Sequence, residues 1–177
     1  MRPAIVKYYV DADILGLAHV LVTVRGDEVT YPGDPGGTFH KRERCPCPIS
    51  DPGTPDTVWV PEVATREWLI ISRDHNIAEN VAELQAVRDS GARMVALAGE
   101  DAGNTWGQLE VVMRRWRQIE ELREQAGPFI YRASRTVWRP VDLKGPSKRQ
   151  VRTSPRTPRR RPSTGAAPDG LWPPDAP

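Results

Sequence analysis

Cysteine is scarce, with only Cys45 and Cys47 among 177 residues. A single proline separates them, so they stand too close for an ordinary disulfide and are too few for a disulfide scaffold, which suits a reducing compartment. Long apolar runs are also missing. Nothing approaches the ~20 residues that a membrane span requires, and Lys7 and Asp11 occupy the place where a signal peptide would need its apolar stretch. The expectation is a soluble, cytoplasmic protein with no membrane partner. Apolar residues are only 38% of the chain, below the average soluble domain, while proline, at 18 residues, is about twice its usual frequency.

Nine of those prolines lie from Pro140 onward, and the charge divides at the same place. Residues 1–139 carry 17 Lys and Arg against 20 Asp and Glu, whereas residues 140–177 carry 8 against 3. The overall net charge of +2 therefore describes neither part. We read one folded domain over 1–139 and a disordered, basic, proline-rich tail over 140–177, which has no periodicity and little to bury. Such a tail can touch nucleic acid through counterion release. Its first aromatic is Trp172, so it gives no support to base stacking.

Within the body, the β-branched and aromatic run Ile5–Val10 predicts a buried strand that ends at Asp11. Helical spacing of Ile14, Leu15, Leu17, Ala18, Leu21 and Val22 follows, with Asp13 placed to cap it. Residues 25–55 are irregular, rich in Gly and Pro, with one short strand expected at Glu28–Tyr31. A helix is expected from Asp56, with Pro61 in or near its first turn. Trp68–Ser72 then reads as a central parallel strand covered on both faces, and it too runs into acid, at Asp74.

Asn76 and Glu79 have the form of a capping box for a helix reaching Gly91. Arg93–Ala98 is the next strand, leading to Glu100 and Asp101. Thr105 and Gln108 form another capping box, ahead of a stripe of Trp106, Leu109, Val112, Met113, Trp116, Ile119 and Leu122. Gly127–Pro128 stops this helix, and Phe129–Tyr131 reads as an edge strand. Alternating strands and helices at this spacing predict an α/β fold with a mainly parallel sheet.

In an open parallel sheet, ligands sit beyond the carboxyl ends of the strands. Asp11 and Asp13, then Asp74, then Glu100 and Asp101 all arrive at that edge, and Asp56 can reach the same mouth. Converging carboxylates repel one another unless a divalent cation lies among them, and oxygen-only ligands suit Mg²⁺ or Mn²⁺ rather than zinc. Such a site lowers the pKa of a bound water and neutralises charge on a scissile phosphate. Each acid taken singly can equally be a helix cap, so the set is more telling than its members.

The order Tyr-Val-Asp at the end of the first strand, Asp56 in Pro-Asp-Thr-Val-Trp-Val-Pro-Glu-Val-Ala, and Leu-Ile-Ile-Ser-Arg-Asp-His-Asn-Ile at 69–77 resembles the PIN-like domains. It looks in particular like the small bacterial group related to the ribonuclease toxins of VapBC-type toxin–antitoxin pairs. The resemblance covers residues 5–135, and Ser72-Arg73-Asp74, similar to the family's Thr-Arg-Asp, is its most specific piece. It implies a three-layer α/β/α sandwich and a metal-dependent endoribonuclease using Mg²⁺ or Mn²⁺. Asp11, Asp56 and Asp74 would be the catalytic, metal-binding acids, with Asp13 a further ligand. Beside Asp74, Arg73 and His75 are the candidates for contacting substrate phosphate. RNA is the implied substrate, and a small antitoxin protein and a second copy of the chain are the candidate partners. The loop from Arg25 to Pro55 is longer than the family pattern, and a fourth acid is not matched, since Asp101 lies beyond its strand.

Two readings compete with the nuclease. One is a catalytically weak PIN-like module that binds RNA or protein, with the Trp-rich long helix as its docking surface. The other takes Asp11-Ala-Asp13 as the nucleophile and acid of a HAD-type phosphatase. That family expects Thr or Val where Leu15 stands and a later lysine, and no lysine occurs between Lys41 and Lys144. His40 with Cys45 and Cys47 lacks the ligand spacing of a zinc site.

Overall fold

Strands β6 (Leu69–Arg73) and β7 (Arg93–Leu97) are apolar at successive positions because both faces of the sheet are covered. The computed structural model describes residues 2–73 and 81–144, with the backbone alone for Asp101. Ahead of β6 come β1 (Arg2–Pro3), β2 (Tyr8–Val10), α1 (Leu15–Arg25), β3 (Val29–Thr30), β4 (Gly37–Phe39), β5 (Arg42–Arg44) and α2 (Asp56–Thr65). The helix α3 (Val81–Ser90) joins β6 to β7, and α4 (Thr105–Arg123), β8 (Phe129–Ala133) and β9 (Trp138–Pro140) follow.

The main sheet has the order β3-β2-β6-β7-β8-β9, parallel throughout except for the antiparallel β9. Alternate residues face opposite ways along each strand. Tyr8, Val10, Leu69, Ile71, Val95 and Leu97 meet α1 and α4 through Leu17, Leu21, Val111 and Ile119. Tyr9, Ile70, Met94, Ala96 and Ile130 meet α2 and α3 through Trp59, Val60, Val63, Leu84 and Val87. The molecule is thus an α/β/α sandwich, with the mainly parallel sheet that its sequence pattern predicts and the three layers that the resemblance implies.

Several local expectations are corrected. The first strand is shorter than Ile5–Val10, and Ile5 is exposed. Asp13 does not cap α1: Asp11 opens a 3-10 turn at Ala12–Ile14, and α1 follows with no side-chain cap. Pro61 lies inside α2, beyond its first turn. Asn104, not Thr105, caps α4, accepting from the Gly107 N–H at 2.9 Å. Gln108, instead of reaching back to a cap, donates from Nε2 to the Ala102 carbonyl at 3.0 Å. β8 is internal, and the edge beyond it is β9. Gly91, at φ +70°, ends α3 where the sequence places the stop.

The irregular stretch 25–55 contributes β4 and β5 to a second, small sheet of order β1-β5-β4, whose third strand comes from Arg2–Pro3. Its hairpin turns on His40 and Lys41, both at positive φ, without the Asn-Gly or Asp-Gly signal that marks such turns. Arg44 anchors the unit. Its buried guanidinium bonds Asp34 and the Val29 carbonyl and lies over the Phe39 ring at 4.5 Å. Past residue 139, Val141 donates to the Ile130 carbonyl at 2.8 Å, and Val141 and Leu143 pack on the α2/α3 side of the core.

Candidate metal centre

Chain direction through the sheet fixes where a ligand can enter. From β2 the chain passes through α1 to β3 on one side, then through α2 to β6 on the other, so the order reverses at the β2/β6 boundary. A reversal of this kind is where open α/β sheets hold their ligands, beyond the carboxyl ends of the two strands. Asp11 is the first residue past β2, and its N–H donates to the Ile71 carbonyl at 3.0 Å. Across from it, β6 ends in Ser72 and Arg73, the latter paired with Leu97 of β7.

The Asp11 carboxylate accepts from the Ala12 N–H at 2.6 Å. Burial, then the charge of Asp13, outweigh that bond and push the carboxyl up to about 6, and Asp56 adds to the effect. Burial, then Cys47, and then Asp11 and Asp56, hold the Tyr9 phenol above its usual range. Asp11, Asp13 and Asp56 therefore act on one electrostatic site, although Asp13 itself is exposed.

Asp56 is the first residue of α2, where a carboxylate is favoured by the helix dipole. One turn on, Trp59 Nε1–H donates to Asp56 Oδ1 at 2.9 Å, while the Trp59 ring stacks on Tyr9 with centroids 5.0 Å apart. The core thereby aims this acid. The i, i+3 spacing of Asp56 and Trp59 is the signal of this bond that the sequence carries.

Asp74 and His75, and the Asn76–Glu79 pair, lie outside the described residues. Among the described residues no three His, Cys, Asp or Glu side chains form one cluster suited to a cation. His40 faces Asp27 through Nδ1 at 3.4 Å. Cys45 and Cys47 are free thiols, one exposed and one buried. Ser72, which sequence reasoning treated only as motif, is buried, and its Oγ has no hydrogen-bond partner among the described residues.

The expected donors are all oxygens, the ligand type of a hard divalent cation; Asp11 is half-buried and feels the like charges of Asp13 and Asp56, and the Ser72 hydroxyl on the adjoining strand has no partner among the described residues. The Arg115 guanidinium donates to the carbonyls of Ser134 and Arg135, each at 3.0 Å, and so holds the β8–β9 turn.

No curated protein and no solved structure matches this chain. A family model described as a PIN like domain matches residues 7–99, more than half of the chain and the whole span from the start of β2 to the end of β7. With the sheet order and the acids past β2 and at the head of α2, that match means the chain belongs to the PIN-like domain family.

Proposed function

We propose that the protein is a metal-dependent endoribonuclease, with Asp11, Asp56 and Asp74 binding Mg²⁺ or Mn²⁺ and Asp13 supplying a further carboxylate. The observation that carries this reading is the Asp11 carboxyl, pushed up to about 6 by burial and by Asp13 and Asp56, at the β2/β6 boundary. A cation beside such an acid favours its charged form, against the burial and like charges that disfavour it. When bound, the cation supplies a water of lowered pKa and offsets charge on the scissile phosphodiester. The chain's own work is positional. Trp59 and the helix dipole aim Asp56, the Ala12 N–H fixes Asp11, and Arg73, at the strand end, takes a phosphate oxygen, with His75 the further candidate for phosphate contact.

Within the family, the Ser72-Arg73-Asp74 motif supports kinship with VapBC-type toxins. RNA is then the substrate, and a small antitoxin protein is the partner. Purified protein is expected to cleave single-stranded RNA in Mg²⁺ or Mn²⁺, to stop in EDTA, and to lose activity in Asp74→Asn with its fold intact. Absence of any cleavage removed by Asp74→Asn, across several RNAs and both metals, overturns the nuclease and leaves a binding module. Expression without an antitoxin should arrest growth, and the Asp74→Asn form should not.

A further inference from the structure

We propose that the exposed face shared by α1 and α4 is where two copies of this chain pair, about a two-fold axis that sets their α4 helices antiparallel. Pairing on this face does not depend on the ribonuclease reading.

Sequence periodicity puts Trp106 and Met113 on one buried stripe with Ile119 and Leu122, but the helix turns differently. Its buried residues are Gly107, Gln108, Val111, Val112, Ile119 and Leu122. Trp106, Leu109, Met113 and Trp116 recur at spacings of 3, 4 and 3, the rhythm of a coiled-coil seam. Leu109 and Trp116 are half-buried against the core, whereas Trp106 is 77% and Met113 65% exposed. On α1, Val20 and Val24 stand one turn apart, both exposed, and with Leu109, Met113 and Trp116 they line a cleft of about 470 Å³ between the two helices. Among the described residues eight large hydrophobic side chains are exposed, and four of them, Val20, Val24, Trp106 and Met113, belong to this face. A concentration of that kind marks an interaction surface.

The charges beside the seam choose the occupant. Glu110 and Arg117 are exposed, each follows a seam residue, and they lie seven residues apart, so they hold the same flanking position in two successive heptads. Glu110 meets Arg135 at 3.3 Å, and Arg117 has no ion pair among the described residues. At the foot of the cleft Arg25 faces Glu120 at 3.5 Å. The rim therefore carries both signs in equal number. A nucleic acid calls for a cationic rim, and half of this one would repel it. A two-fold interface calls for the reverse, a single patch that supplies both halves of every contact.

The spacing also sets the direction of pairing. Turning one α4 antiparallel on another about the midpoint of Glu110 and Arg117 brings Glu110 of each copy beside Arg117 of the other. That midpoint falls between Met113 and Arg114, within one residue of the centre of Thr105–Arg123. The helices then overlap along nearly all of their length of about 28 Å, with Met113 of each copy at the level of the other's cleft. A parallel pair lacks this match, because the opposite flank of the seam, Val112 and Ile119, is buried in its own core.

Sedimentation equilibrium of the full chain, without RNA or added metal, tests the pairing. Wild type is expected to be a dimer, Met113→Glu a folded monomer of unchanged Tm, and Val81→Glu, at a comparably exposed valine on another helix, a dimer. Glu110→Arg and Arg117→Glu each turn both ion pairs into repulsions and should raise the dimer Kd about tenfold. Mixed in equal amounts, these two variants should pair with each other within about threefold of the wild-type Kd, since the mixture restores opposite charges at both contacts. A wild type that stays monomeric to its solubility limit overturns the proposal. So does a dimer that Met113→Glu leaves intact, or a mixture that pairs no more tightly than either variant alone. Loss of RNA or of a second protein in Met113→Glu, from a wild type that is itself monomeric, gives the face to that occupant and overturns it as well.

Discussion

Trp59 donates its indole N–H to Asp56 Oδ1 at 2.9 Å and stacks its ring on Tyr9, so one side chain joins the core to the mouth of the site. Trp59→Phe keeps the ring and removes the donor. Stability should fall by about 1 kcal/mol, while Mn²⁺ affinity and cleavage fall several-fold because Asp56 is no longer aimed. Trp59→Ala should cost about 3–5 kcal/mol. Urea denaturation and a Mn²⁺ titration separate the two effects.

Asp11 sets a pH dependence of known sign. Its carboxyl titrates at about 6 in the folded protein against an ordinary 3.8. Folding thus favours the protonated form, and the stability this contributes is fully present below about pH 4 and lost as the pH rises through about 6. Without metal, Asp11→Asn should therefore be more stable than wild type at pH 7, by about 1–3 kcal/mol, with the gain vanishing near pH 4. Saturating Mn²⁺ should reverse the order at pH 7. Urea midpoints at three pH values, with and without metal, check both signs.

The Arg44–Asp34 pair predicts a different response, because both side chains are almost wholly buried. Asp34→Ala leaves the guanidinium without its counter-charge and should cost about 3–5 kcal/mol. Hydrogen exchange should show the loss concentrated in residues 33–49, around the β4–β5 hairpin. Cleavage should survive at temperatures where the variant remains folded.

We also expect residues 145–177 to be dispensable for folding, given their charge and shortage of apolar side chains. Deleting them should leave Tm unchanged, with the cut placed after Lys144 because Val141 and Leu143 pack on the core. If the deletion weakens RNA binding and flattens its salt dependence, the segment is an electrostatic arm.

The layer order was legible because strands covered on both faces leave continuous apolar runs, as at Leu69–Ser72 and Met94–Ala98, separated by helical periodicity. The small sheet was not. Its strands are exposed and polar, its turn residues His40 and Lys41 carry no turn signal, and the pair that holds it, Arg44 and Asp34, is joined only in space. At α4 the cap falls one residue ahead of the expected Thr105, and at α1 the acid-rich approach forms a 3-10 turn capped by Asp11, which leaves the helix itself without a side-chain cap. The acids at strand ends were visible one by one. Their shared electrostatics required the reversal of strand order at β2 and β6, and the aiming of Asp56 required the stack of Trp59 on Tyr9. Trp106 was misplaced because a stripe drawn through seven residues averages over a helix whose buried face is set by Val111, Val112 and Ile119.

Mn²⁺ binding to the purified full-length protein, followed by calorimetry at pH 7, tests the metal site most directly. The account predicts a site that weakens at least tenfold in each of Asp11→Asn, Asp56→Asn and Asp74→Asn, with Glu100→Gln unchanged and RNA cleavage falling in parallel. Equal Mn²⁺ affinity in wild type and all three Asn variants would contradict it.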